Sequence, residues 1–185
     1  MAIYEAVLTT KWEDRMNIAP MGIRFVGSEA ILLSVFKTSH THDFLINTGV
    51  AVVNFVDNVE IIAKSVLGDE VFPWDPAEKV DGWVLRDAYM YFEVRSVDYK
   101  DIGSRGLFRM EILLKKTRRV PFLFNRASFA VIEGAIKVSR LGVYREEEIA
   151  SFFRIFEPIV LKTGGEREMR AWNFLVSFLK KEGIL

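Results

Sequence analysis

The stretch that most narrows what this chain can fold into is YMYFEVRSVDYKDIGSRGLFRMEILLKKT, residues 89–117. From Tyr89 to Tyr99, and again from Arg105 to Thr117, apolar and charged side chains alternate. A period of two places every second side chain on one face, the pattern of a strand with one face on a core and the other in solvent. The linker DIGS, Asp101 to Ser104, supplies turn residues that fold two such runs back on each other. The expectation is a long antiparallel hairpin. Two strands alone are marginal in water, so further strands must complete a sheet around it.

The first half of the chain provides them. Ile3 to Thr10 alternates as a strand. Asn17 to Val26 reads as extended but contains Pro20 and Gly22, and a proline belongs at a sheet edge or a bulge because it cannot donate to a ladder. Glu29 to Phe36 (EAILLSVF) and Val50 to Val56 (VAVVNFV, with Asn54 its one polar residue) read as buried strands. Two short helices interrupt them. Thr41 to Thr48 has Ser39 or Thr41 as N-cap, Asp43 in its first turn and Gly49 as stop. Val59 to Leu67 is capped by Asp57 or Asn58 and stopped by Gly68. Phe72 to Trp83, with Pro73, Pro76, Gly82, Trp74 and Trp83, reads as a loop.

After Pro121 the period becomes helical. Asn125 caps a run with Phe129, Ile132, Ile136 and Ser139 on one face, ending near Gly142. Arg145 to Leu161 sets Ile149, Phe152, Phe153, Phe156 and Val160 at helical spacing, with Pro158 bending its end. A turn at Thr163-Gly164-Gly165 leads to a last helix, Glu166 to Glu182, with Met169, Trp172, Leu175, Val176 and Leu179 inward. Strands followed by helices suggest an α+β fold, mainly β: an antiparallel β-barrel with peripheral and C-terminal helices. At 185 residues the expectation is a single structural unit, a barrel over residues 1–120 with a helical segment, 121–185, packed on it.

Composition removes several functional classes. The chain has no cysteine, which excludes disulfides, Cys-ligated zinc, iron–sulfur clusters and thiol catalysis. It carries 25 basic and 25 acidic residues, without the basic excess of a nucleic-acid binder. Its apolar runs, such as 31–36 and 50–53, fall far short of the roughly 20 residues that span a bilayer. The opening MAIYEAVLTTKWED, already charged at Glu5, does not read as a signal peptide. A cytoplasmic protein with no membrane partner is expected. The absence of glutamine, with plentiful Glu, Lys and Arg, tilts towards a thermophile.

Both histidines, His40 and His42, lie in KTSHTHDFLINTGVAVVNF, residues 37–55. A metal site would need a third ligand, and only Asp43 or a distant carboxylate could serve. A histidine base titrates near neutrality, but the chain has no G-x-S-x-G nucleophile elbow. Two solvated residues beside a helix cap would look the same. In a fourth reading, Lys37, Thr38, Ser39, His40 and Thr41 precede a short helix whose free N–H groups and positive dipole end favour an anion. The residues alone leave these open.

The neighbours make the segment more specific. NIAPMG (Asn17 to Gly22), a buried strand, KTSHTHDFLINTG and VAVVNF stand in an order that resembles the FMN-binding split-barrel flavoproteins related to flavin reductases. FNRASFAVIEGAIKVSR (Phe124 to Arg140) adds likeness to an archaeal family of uncharacterised FMN-binding proteins. The ordered set covers most of the chain.

The resemblance implies FMN as cofactor, with the ring along Asn17, Ala19, Pro20 and Met21 and the phosphate held by Thr38, Ser39, His40 and Thr41. His40 is then the histidine nearer the ligand, with His42 exposed in the first helical turn. Many flavin reductases place a basic residue and an aspartate before the threonine and an asparagine three residues after it. Here Ser39, His40 and Phe44 stand there, so Lys37, or Arg126 in the stretch Asn125-Arg126-Ala127, has to meet the phosphate charge. Trp74 or Trp83 could cover a ring. Also implied are a homodimer with FMN near the subunit interface and flavin-reductase-type oxidoreduction using NAD(P)H. Hydride then passes between cofactors, so no catalytic residue is assigned. The alternatives are a flavin carrier or sensor without turnover, and a barrel serving only as an interaction module.

Overall fold

The first strands are β1 (Tyr4–Trp12), β2 (Arg15–Val26) and β3 (Ala30–Phe36), seen in a computed structural model that describes residues 2–67, 72–121 and 125–185. Helix α1 (His40–Thr48) follows, then β4 (Val50–Phe55), α2 (Val59–Ser65), β5 (Trp74–Pro76) and β6 (Trp83–Leu85). The chain continues through β7 (Met90–Asp101), β8 (Arg105–Thr117), α3 (Arg126–Val138), α4 (Glu146–Thr163) and α5 (Glu166–Lys181). Two units result, one of Met1–Asp57 and Val71–Pro121, the other of Asn58–Glu70 and Phe122–Leu185. The helical unit thus takes α2 from between β4 and β5.

The first unit is a closed antiparallel barrel in the order β1-β2-β3-β8-β7-β4, with β4 returning to pair with β1. The long hairpin is there as β7 and β8, with register shifts at Glu93/Val94 and Ser96/Asp98. Alternation fills the interior: Ala6 and Leu8, Ile31, Leu33 and Val35, Ala51, Val53 and Phe55, Phe92 and Val94, Phe108, Met110 and Ile112 all turn inward. Helix α1 lies against β1, β2 and β3 and adds Leu45 to this core. β2 pairs with β1 along its length, Arg15 to Ile23, but with β3 only from Ile23 to Val26. Residues 15–22 therefore have one neighbouring strand, and Pro20 sits on that open half, where a missing N–H breaks no ladder.

The segment expected as a loop contains a small second sheet, β5 paired with β6. Strands of three residues bounded by proline carry too little alternation to be read from sequence. Side chains from the barrel hold them. Asn54 donates to Val7 O and Thr9 Oγ1, each at 3.1 Å, and its Oδ1 accepts from Leu85 N at 2.9 Å. Thr9 Oγ1 donates to Trp83 O at 2.6 Å, and Trp83 Nε1 to Thr10 O at 3.2 Å. Trp83 is therefore a buried wall, not a cover for a ring. Glu93 has no exposed surface, and its carboxylate accepts from the backbone N–H groups of Glu78 (2.8 Å), Lys79 (2.5 Å) and Val80 (3.1 Å). A buried carboxylate is tolerated when several donors replace its water.

In the helical unit, caps agree with chemistry at the sequence level. Asn58 Oδ1 accepts from Glu60 N at 3.2 Å, and Asn125 Oδ1 from Ala127 N at 2.9 Å. Gly68, the expected stop of α2, lies outside the described residues, as does Phe124. The buried face of α3 is the one with its small residues. Ala127, Ala130, Val131, Gly134, Ala135 and Val138 are buried, whereas Phe129 is half exposed and Ser139 exposed. Close packing selects the small side: a Cβ on Gly134 would come within 3.1 Å of Phe153 Cζ. Helix α4 runs through Pro158 to Thr163 and buries Ile149, Phe153 and Val160, while α5 buries Ala171, Trp172, Leu175 and Leu179. No described helix is long and apolar enough to cross a membrane.

Replacing Glu93 by Ala orphans three N–H groups, and a loss of about 3 kcal/mol in urea denaturation is expected. Glu93→Gln, which keeps one acceptor oxygen, should recover part of it. A Glu93→Ala variant as stable as the parent would show that the carboxylate does not anchor this loop.

Candidate functional site

The barrel end covered by α1 is where the motifs singled out in the sequence meet. Three residues, Lys37 to Ser39, connect β3 to α1. Ser39 is the N-cap: its Oγ accepts from His42 N at 3.2 Å and donates to Phe36 O at 2.7 Å. The helix closes at Gly49, whose φ of 68° is the left-handed conformation a glycine adopts freely. Within α1 the N–H groups of His40 and Thr41 have no carbonyl one turn back to receive them, so the first turn presents donors and the positive dipole end.

Asn17 joins this turn to the open half of β2. Its Nδ2 donates to Thr41 Oγ1 at 2.9 Å and to Thr10 Oγ1 at 3.2 Å. Thr41 is 2% exposed. Both amide hydrogens of Asn17 are held by hydroxyls, which fixes the side chain and leaves Oδ1 as an acceptor. Residues 17, 19 and 21 share one face of β2, and Met21 packs on the barrel core. Arg15, on the same face, lies over the Trp12 ring at 4.5 Å and the Phe44 ring at 5.2 Å, and those two rings meet edge to face.

The remaining expected residues fall out differently. His40 and Thr38 are exposed. Lys37 forms an ion pair with Asp101, and its N–H donates to Ser104 O at 3.1 Å. The hydrogen bond from Lys37, with a second from Gly103 N–H, holds the Asp101 carboxyl below its ordinary range. The Lys37 charge is thus already matched. Asn125 and Arg126 belong to the helical unit, where the Asn125 side chain is occupied as a cap.

His42 was expected to be exposed and is not. Its ring packs against Phe108 and Tyr99, with centroids at 5.6 and 6.0 Å, and its side chain keeps only 12% of its exposure. The partners lie 57 and 66 residues along the chain, which local pattern does not reveal. One signal was present: Gly106 interrupts an otherwise bulky strand, and a glycine there marks a close approach. Among the described residues no three His, Asp or Glu side chains cluster as metal ligands.

Comparison with known proteins bears on this geometry. The chain is 29% identical over 176 residues to the uncharacterised protein MJ1453 of the archaeon Methanocaldococcus jannaschii, covering 88% of this chain and 91% of that protein. Its structure is similar to the crystal structure of the FMN-bound protein MM1853 from Methanosarcina mazei, with a TM-score of 0.83, 21% identity, and 95% and 94% of the two chains covered. The flavin reductase HpaC, solved with NADP+, matches with a TM-score of 0.56 and 17% identity, over 65% of this chain and 81% of that one. At these identities the structural matches establish the fold, an FMN-binding split barrel of the flavin-reductase-like kind. Family models match residues 4–119, as the N-terminal domain, and 125–177. The chain belongs to the family described as protein of unknown function DUF447.

Proposed function

We propose that the barrel unit binds FMN, with the phosphate at the first turn of α1 and the ring along the open half of β2, and that it works as an oxidoreductase of the flavin reductase type. The observation that carries this is the bond from Asn17 to Thr41, which places an unpaired strand edge and a helix N-terminus side by side. The edge offers backbone donors and acceptors of the kind a flavin pyrimidine needs. The turn offers the N–H groups of His40 and Thr41 and the hydroxyls of Thr38 and Thr41. Ser39 serves the turn as its cap, its proton being held by Phe36 O. Support also comes from MM1853, a member of the same family whose structure contains FMN, and from the NADP+ complex of HpaC.

Bound FMN would supply the redox chemistry, hydride exchange with a nicotinamide. The protein's part is to bind, orient and shield, with Asn17 fixing the strand edge relative to the turn and the apolar interior keeping one side dry. A homodimer with the flavin near the subunit interface fits the open half-strand and exposed Met16 beside it.

The test is a visible spectrum of the purified protein titrated with FMN and then, without air, with NADPH. A flavin spectrum perturbed on binding and bleached by NADPH is the expected outcome. Bound flavin that stays oxidised with NADPH and NADH would favour a carrier or sensor, and no binding would remove the reading.

A second test separates cap from ligand contact. Ser39→Asp retains the N-cap acceptor for His42 N but not the proton given to Phe36 O, and should cost about 1 kcal/mol of stability. Its charge beside the phosphate should weaken FMN binding by roughly tenfold or more, while riboflavin, which lacks the phosphate, is little affected. Equal losses for both flavins would place the phosphate elsewhere.

A further inference from the structure

The turn from Lys37 to His42 is tied at both ends to one distant element, the tip of the β7–β8 hairpin. At its start, Lys37 N donates to Ser104 O at 3.1 Å and the Lys37 ammonium pairs with Asp101. At its end, the His42 ring lies against Tyr99 and Phe108, with Nε2 3.4 Å from Tyr99 Oη. The residues between these ties are those proposed to hold the phosphate.

The second tie depends on an absent side chain. Gly106 faces both rings: a Cβ there would stand 2.6 Å from Tyr99 Cε2 and 3.0 Å from His42 Nε2. No positive φ demands glycine at this position, so it is kept for space and not for backbone conformation. With a Cβ at 106, Tyr99 has to shift and His42 has to give by a few tenths of an ångström. His42 N is the group that Ser39 Oγ caps, so a displaced His42 disturbs the cap and the N–H groups on either side of it.

We infer that Tyr99, Gly106 and His42 form a positioning device, in which the hairpin tip sets the shape of the phosphate turn through the His42 ring. This rests on the FMN reading above. None of the three residues is assigned contact with the ligand. Lys37 and Asp101 hold the turn at one end and the His42–Tyr99 pair at the other, so an anion would enter a turn of fixed shape and lose little freedom on ordering it. The arrangement also gives the second histidine of the chain a role that neither metal binding nor acid–base chemistry supplies.

The test compares FMN with riboflavin in titrations of the full-length protein and its Gly106→Ala and Tyr99→Phe variants, with thermal melts in parallel. Displacing His42 and the turn by a few tenths of an ångström should weaken FMN binding several-fold in Gly106→Ala, while riboflavin changes by less than about twofold. Tyr99→Phe keeps the ring and loses the hydroxyl, and should show the same selectivity at about threefold. The double variant Gly106→Ala/Tyr99→Phe should cost less than the sum of its two single variants, because both changes act through His42. The 31P resonance of FMN bound at saturation should shift in Gly106→Ala, which a loss of global stability alone would not produce. If Gly106→Ala does not fold, Tyr99→Phe decides by the same ratio and resonance. FMN binding and a 31P resonance unchanged in the variants would overturn the positioning role and leave the FMN reading intact, as would equal losses for both flavins. A parent protein that binds no FMN would overturn both.

Discussion

β2 is twelve residues long, with β1 beside its first nine residues and β3 beside only its last four. Everything proposed about function depends on that inequality. Closure requires β1 between β2 and β4, and β3 between β2 and β8, so β2 must reach β3 at its far end while its near end extends past the sheet. That near end carries Asn17, Pro20 and Met21. An exposed edge is normally a hazard, open to pairing with another chain. Here its proline blocks simple strand addition, and one of its side chains reaches to the helix that covers the barrel end.

Charge is handled locally throughout. The chain is balanced overall, and single charges are met at short range: Lys37 is matched by Asp101 and Arg15 rests on two aromatic rings at the site, and Glu93, away from it, is enclosed by backbone N–H groups. An anion would be met by short-range donors at a helix start, which discriminates by shape and fit more than by charge.

How much of this was legible follows the range of the interactions. The β7–β8 hairpin, the Ser39, Asn58 and Asn125 caps and the Gly49 stop depend on neighbours in sequence, and the pattern showed them or narrowed each to two candidates. The order of motifs pointed to the family and fold before any coordinates. The β5–β6 sheet was not visible, because what holds it comes from Asn54 and Glu93, on other strands. Which face of α3 is buried depends on what packs against it and was not legible from its spacing alone. Against α4 and α5 the small residues make the closer contact, and Phe129 is left half exposed. Lys37 looked like a candidate for the phosphate charge until Asp101, 64 residues on, was found beside it.

Neither unit is continuous in sequence, and this matters when the chain is made. The barrel can close once β8 has emerged, near residue 117. By then α2 has long been synthesised, with Val59, Ile61, Ile62 and Ala63 among the residues it buries in the finished protein. Its partner α5 ends at Lys181, more than a hundred residues later. Through about the last third of translation, then, a short helix follows a barrel whose strands are all made while its own unit is still unfinished. A short helix of this kind is marginal by itself, so its structure waits for α5, although it leaves the ribosome before β5, β6, β7 and β8.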